Sequence, residues 1–216
     1  GTNVHGSSQQ TSSDLSNQIS NYETIDWIDL IPKEDLDILL NPPSYITDVE
    51  DGSIEDKIGS QLKTDPVAVE NDRYQRALIS KSIKPEMDEK KVRVPGFIVP
   101  LEFNDEQIIT EFFLVPYFGA CIHMPPPPPN QIIYVKYPKG LILEALYHPF
   151  WISGKLKTSL IENDMATAAY ALDMENYEPY SEEEKDARSN IGSNWPTSGH
   201  IYFNGFLPKI FQSKTN

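Results

Sequence analysis

A small, mainly β, OB-like Greek-key barrel preceded by an acidic helical arm is the fold this sequence predicts. Three features point to it: five short stretches of strand character between Lys91 and Tyr177, a glycine at position 154 on the inward side of one of them, and one connection longer than the others. An open α+β sheet is the main competitor. The 216 residues suffice for one principal core with appendages.

The first twenty residues, rich in Ser, Thr, Gln and Asn, read as a disordered tether. An acidic helical arm over residues 21–88 follows and is expected to pack on the core. Trp27, Leu30 and Ile31 are its first side chains able to bury substantial area. Pro32 suits the first turn of a helix with Glu34 and Asp35 near its positive end and Leu36, Leu39 and Leu40 as an apolar stripe, and Asn41, Pro42 and Pro43 stop it. Asp65 and Pro66 open a second helix reaching about Ile79, with Tyr74, Ala77 and Leu78 facing inward. Lys84 to Lys90 reads as a charged linker. Neither helix has enough apolar surface to fold alone, so the pair is expected to cover an open face of the sheet.

The barrel is placed at residues 89–180. Val92 to Phe103 is apolar on both sides near its middle and so needs covering twice. Pro95 and Pro100 put this strand at an edge or beside bulges, and Gly96 permits a sharp bend. Asn104 to Gln107 is a polar turn into a strand over Thr110 to Pro116. A third strand, Gln131 to Tyr137, closes at Pro138 to Gly140, and Leu141 to Tyr147 has room for one or two helical turns. Phe150 to Thr158 alternates, with Phe150, Ile152 and Leu156 inward; so does Ala168 to Tyr177, with Tyr170, Leu172 and Met174 inward. Residues 181–216 form a loop and an aromatic tail with Trp195, Tyr202, Phe203, Phe206 and Phe211, expected to pack back on the barrel.

Charge narrows the function. There are 32 acidic and 18 basic residues, a net −14. The acidity sits in the arm: Gly1 to Gln75 holds fifteen Asp/Glu and four Lys/Arg, whereas Lys91 to Leu160 holds five and six. With no basic surplus, neither nucleic acid nor an anionic lipid surface is an expected partner, and membrane attachment needs a lipid anchor or a partner. No apolar run is long enough to span a bilayer, and the amino terminus lacks signal-peptide regions, which suits a chain that begins after a removed signal. The single cysteine excludes an intrachain disulfide. There is no glycine-rich phosphate loop and no HExxH, CxxC or GxSxG pattern.

The most unusual stretch is Glu111 to Gln131, which carries Cys121, His123 and five consecutive prolines. On an extended segment Cys121 and His123 point the same way and form a candidate zinc or copper site. Two ligands do not hold a structural zinc, and His148 is the leading third donor, with Met124, Glu144 and His200 also available. The same pair is a candidate nucleophile and base for a thiol enzyme, although side chains two apart on a strand usually lie too far apart. The plainer reading makes Cys121 a small buried hydrophobe and His123 a positioner. Pro125, Pro126, Pro127, Pro128 and Pro129 predict a stiff polyproline II rod roughly 15 Å long. With Asn130 and Gln131 the rod is a candidate partner-binding ridge, or it packs under Tyr117, Tyr134 and Tyr137 of its own domain.

VRVPGFIVPLEF (Val92–Phe103), FFLVPYFGACIHMPPPPPNQIIYV (Phe112–Val135) and PFWISGKL (Pro149–Leu156) resemble the bacterial domain of unknown function 3299 family, over about Val92 to Tyr180. The resemblance implies an exported or lipid-anchored protein of the bacterial periplasm or envelope, encoded near transporter components, with metal homeostasis as a context. The resulting expectation is a non-catalytic accessory protein that assists a membrane transporter component or another envelope protein, or handles zinc or copper through Cys121 and His123. The alternatives are a metal-free interaction module built on the proline rod, and a thiol enzyme.

Overall fold

The computed structural model describes residues 21–41, 73–118, 120–121, 126–143 and 147–180. Its strands are β1 (Glu23–Thr24), β2 (Lys91–Phe103), β3 (Ile109–Val115), β4 (Ile133–Leu141), β5 (Phe150–Lys157), β6 (Ile161–Glu162), β7 (Thr167–Ala168) and β8 (Tyr170–Pro179), and its α-helices are α1 (Lys33–Leu40) and α2 (Arg73–Leu78). Five strands close on themselves in the order β2-β3-β4-β8-β5, with β5 returning to β2. All neighbours are antiparallel except β4 and β8, which run parallel. This is a closed five-stranded, OB-like barrel. The tether at residues 1–20, the start of the second expected helix and the tail from residue 181 lie outside the described residues.

The strand register fixes the core. Ile98, Leu114, Ile133 and Tyr170 align across four strands, and Pro100, Phe112, Val135, Leu172 and Leu156 form the next row. Period-two alternation turns these rows inward, and the charged Lys136, Asp173 and Lys155 fall on the other face. The outward face nevertheless has its own apolar strip, Phe97, Val99, Phe113 and Val115, all buried. Over it Phe118 sets its ring 6.0 Å from that of Phe97. The expectation that β2 needs covering on both sides holds.

β2 is not an edge strand. Lys91 to Gly96 pairs with β5, and Phe97 to Phe103 pairs with β3. The prolines are tolerated because Pro95 lies just before the partner changes and Pro100 sits beside register shifts. The hand-over falls at Gly96, where a Cβ would stand 2.8 Å from the carbonyl oxygen of Val115 and 2.9 Å from the Leu114 side chain. At the second tight point, Gly154, a Cβ would meet the Asp173 carbonyl oxygen at 2.2 Å. A register shift between Ser153 and Gly154 lies at the same place, so the glycine lets β5 and β8 coil closely, as its position in the sequence suggests.

Three boundaries differ from expectation. β4 starts at Ile133, because Pro129–Gln131 closes as a 3-10 turn, and it runs on through Pro138 and Gly140 to Leu141. The extension is possible because Gly140 adopts φ +81° and the β3 partners jump from Ile109↔Leu141 to Glu111↔Lys136, leaving the intervening residues of β4 bulged. No helical turn follows at Leu141 to Leu143. Ala168 belongs to the small β6–β7 ladder, and the fifth barrel strand starts at Tyr170. The stretch read as a charged linker contains a 3-10 turn, Pro85–Met87, whose Met87 is buried.

Among the described residues the buried side chains of the two helices form a cluster of their own, separate from the barrel core. α1 and α2 pack on each other around Ile31, Leu39, Tyr74 and Ala77, a small satellite core. The pair is tied by buried Asp35, which accepts from Arg73 Nη2 at 2.8 Å and from the Ser80 hydroxyl. Leu40, expected on the apolar stripe, points to solvent, and Asp35 takes the buried position. The part of the arm that joins the barrel core is the 3-10 turn Trp27–Leu30, with Trp27 and Leu30 buried there. Asp26 starts the turn with a reciprocal capping box, its carboxylate accepting from the Asp29 N–H and its own N–H donating to the Asp29 carboxylate at 2.7 Å, and its carboxylate also accepts from the Trp27 N–H at 2.6 Å.

Candidate functional site

The end of the proline motif is where separate parts of the chain meet. Pro126 is exposed, Pro127 buried, and Pro128 keeps polyproline geometry at φ −51°, ψ 147° before the chain tightens at Pro129–Gln131. Proline cannot donate, so the carbonyls of this run take their donors from elsewhere. The Pro129 carbonyl accepts from the Ala169 N–H at 2.7 Å, at the junction of β7 and β8. Asn130 Nδ2 donates to the Ser82 carbonyl at 3.1 Å, and Gln131 Nε2 donates to the Trp27 carbonyl and to the Asn130 carbonyl, both at 2.9 Å. Asn130 and Gln131, read from sequence as part of a partner-binding ridge, are therefore buried and bound to the chain's own arm.

Two further bonds seal the same junction. The Tyr170 hydroxyl donates to the Leu30 carbonyl at 2.9 Å and accepts from the Lys84 N–H at 2.8 Å, so one buried phenol bridges the arm and the segment leading into β2. Burial pushes the Tyr170 hydroxyl up to about 12, with its bond from the Lys84 N–H acting the other way. It therefore stays protonated and able to donate. Trp27 Nε1 donates to the Pro95 carbonyl at 2.7 Å, anchoring the turn against β2. Sequence reasoning missed Tyr170 and the pairing of Trp27 with Gln131. The available signal was a polar Asn-Gln pair between a proline run and an apolar strand, which has to satisfy its amides inside the fold.

Between the two bridged segments lies a cleft of about 470 Å³, lined on one side by residues from Ile28 to Leu36 and on the other by Ile83, Lys84, Pro85 and Glu86. Ile31, Leu36 and Ile83 give it apolar walls. Asp29, Lys33, Glu34, Lys84 and Glu86 give it a rim of both charges. Its volume falls in the range of small-ligand and side-chain pockets, and junctions between units are common places for them. A second hollow of about 310 Å³ lies beside Tyr22, Lys91 and Glu175. There the Tyr22 hydroxyl donates to Glu175, and the Lys91 ammonium stands 5.8 Å from the centre of the Tyr22 ring.

The residues predicted as metal ligands are placed only in part. Cys121 is half-buried in a left-handed conformation, φ 66°, and packs against the barrel core. Burial pushes its thiol up to about 11, which favours the neutral sulfhydryl over the thiolate that a nucleophilic mechanism requires. Burial likewise pushes the Tyr117 hydroxyl well above its ordinary value, with the Cys121 charge a smaller cause. His148 is exposed and lies against Tyr147, ring centres 4.4 Å apart. His123, Met124, Pro125, Glu144 and His200 lie outside the described residues. Among the described residues no three His, Cys, Asp or Glu side chains stand close enough to hold a metal ion. The described donors do not fit a zinc or copper centre.

The architecture defines the class first: a closed OB-like barrel with an arm locked to it through the residues that follow a proline run. Residues 27–179 match the sequence profile of the family described as protein of unknown function (DUF3299), and the chain belongs to that family. The crystal structure of a DUF3299 family protein from Pseudomonas aeruginosa PAO1 is similar, with 34% sequence identity, a TM-score of 0.54, and coverage of 74% of this chain and 97% of that one. A comparison with curated proteins finds no match. The family match begins at Trp27, well before Val92, where the resemblance read from the sequence begins. The arm turn is thus part of the family unit, in keeping with Trp27 being bonded into the barrel through Gln131 and Pro95.

Proposed function

We propose that this protein is a non-catalytic, metal-independent binding module of the bacterial envelope, an accessory to a membrane transporter component or another envelope protein. Its cleft within the arm, between the turn-and-helix segment and the segment leading into β2, receives apolar side chains from an extended segment of that partner. The observation that carries the reading is the cleft itself: apolar walls from Ile31, Leu36 and Ile83, a charged rim, and two flanking segments tied together by the Tyr170 hydroxyl through the Leu30 carbonyl and the Lys84 N–H. Such walls suit one or two aliphatic anchors, and the mixed rim suits the polar backbone on either side of them. The family resemblance supplies the envelope setting. No helix among the described residues is long and apolar enough to cross a membrane.

The test is partner retention by the intact chain carrying Ile28→Glu, a change at a rim position that is 39% exposed and therefore spares the core. The expected result is normal folding with loss of the envelope partner, and full retention by a Cys121→Ala/His123→Ala double variant. The reverse pattern, with Ile28→Glu retaining the partner and the Cys/His variant losing both partner and zinc or copper, would overturn this reading in favour of metal handling.

A further inference from the structure

We propose that Asn130 and Gln131 hold a buried water molecule, which forms part of the joint between arm and barrel. Both side chains are almost wholly buried, at 1% and 4% exposure. Their amide nitrogens are committed: Asn130 Nδ2 to the Ser82 carbonyl, Gln131 Nε2 to the carbonyls of Trp27 and Asn130. These carbonyls set the orientation of both amides, because rotating either one would turn its oxygen against a carbonyl oxygen. The opposite ends, Asn130 Oδ1 and Gln131 Oε1, are buried acceptors with no donor among the described residues.

An amide oxygen sealed from solvent without a donor bears its full desolvation cost, and two on adjacent residues make that cost large. Water fits the requirement: it supplies two donors, suits a polar site, and commonly satisfies buried groups of this kind. The site calls for donors, and among the described residues no group of three His, Cys, Asp or Glu side chains is placed to hold a metal ion, which separates it from a cation site. The prolines contribute by lacking N–H groups, so the preceding backbone has no donor to offer these oxygens. The Asn-Gln pair then joins three segments by direct bonds, to Trp27 on one side and Ser82 on the other, with a solvent molecule completing its acceptors.

Oxygen-17 relaxation dispersion on the full chain counts slowly exchanging internal waters. The expected result is a count lower by at least one in an Asn130→Leu/Gln131→Met variant than in the unaltered protein. An unchanged count in a folded variant overturns the proposal. If that variant does not fold, a high-resolution crystal structure of the unaltered protein decides. A solvent peak within hydrogen-bond distance of Asn130 Oδ1 or Gln131 Oε1 supports the water. A protein donor on both oxygens, an empty site, or a peak with the many short oxygen contacts of a bound cation overturns it.

Discussion

The side-chain amide of Gln131 donates to the main-chain carbonyl of Trp27 at 2.9 Å, across 104 positions of sequence and entirely within the protein. This bond couples the second residue after the proline run to the first residue of the arm turn. A Gln131→Glu variant places carboxylate oxygens against the carbonyls of Trp27 and Asn130, where only a donor is tolerated. The expected loss is about 3 kcal/mol, the cost of a broken buried hydrogen bond with a charge left in its place. A urea unfolding midpoint equal to that of the unaltered protein would show that the joint contributes nothing.

Trp27 is 1% exposed and reaches Pro95 through its indole N–H. Trp27→Ala is expected to cost about 3–5 kcal/mol, as for other buried aromatic truncations. Combined with Gln131→Ala, the double loss should be smaller than the sum of the two single losses, since losing the indole bond to Pro95 loosens the turn that carries the main-chain carbonyl Gln131 bonds. Strict additivity in a double-mutant cycle would argue that Trp27 acts only as bulk in the core.

Gly154→Ala tests the coiling of β5 on β8. The new Cβ would lie 2.2 Å from the Asp173 carbonyl oxygen, a backbone atom that cannot move without shifting the paired strand. Destabilisation of about 3 kcal/mol, at the upper end of the usual overpacking cost, is expected in thermal unfolding. A melting temperature within a degree of the unaltered protein would contradict the close approach.

Cys121 should be a slow thiol. With its pKa pushed up to about 11 by burial, its labelling at pH 8 is expected to be on the order of a hundredfold slower than that of a free cysteine, and to climb steeply above pH 10. The linkage has a matching sign. A group whose folded pKa is raised stabilises the fold below its unfolded value, and that contribution is lost as pH rises toward 11. Rapid labelling at pH 7 would refute this account and revive the thiol-enzyme reading.

The satellite core of the helices depends on one carboxylate. Asp35 is 4% exposed and accepts from Arg73 and Ser80. Removing it in Asp35→Ala strips both of their acceptor, and a loss of about 2 kcal/mol is expected, less than for a fully buried pair because Arg73 is partly solvated. Amide exchange should show the loss in α1 and α2, with the barrel strands unaffected. Equal acceleration across β2 to β8 would mean that the helices and barrel unfold as one unit.

The barrel was legible because its information is local. Alternation in Phe150 to Lys157 and Tyr170 to Glu175, the glycine at 154 and the turn residues Asn104 to Gln107 each act within a few positions, and period two assigns their faces without knowledge of the partner strand. The choice between an edge and a bulge for β2 stayed open in the sequence for the opposite reason. Whether a proline is tolerated depends on which neighbour needs its N–H, and β2 changes neighbours at Gly96. The Cys121 and His123 spacing suggested a metal because such donors are recognisable from residue type alone; His123 lies outside the described residues, and the burial of the Cys121 sulfur is a property of everything packed around it.

By itself, then, the sequence determined the strands, the acidic arm, the family and the singularity of the proline motif, since composition, periodicity and backbone restriction act on neighbouring residues. Tertiary structure decided what the motif is joined to. Gln131 meets Trp27, Asn130 meets Ser82 and Tyr170 meets both Leu30 and Lys84 only because barrel closure carries these residues together. An amide or a phenol can bond many carbonyls, and nothing in its identity specifies which carbonyl will be within 3 Å once the chain is folded.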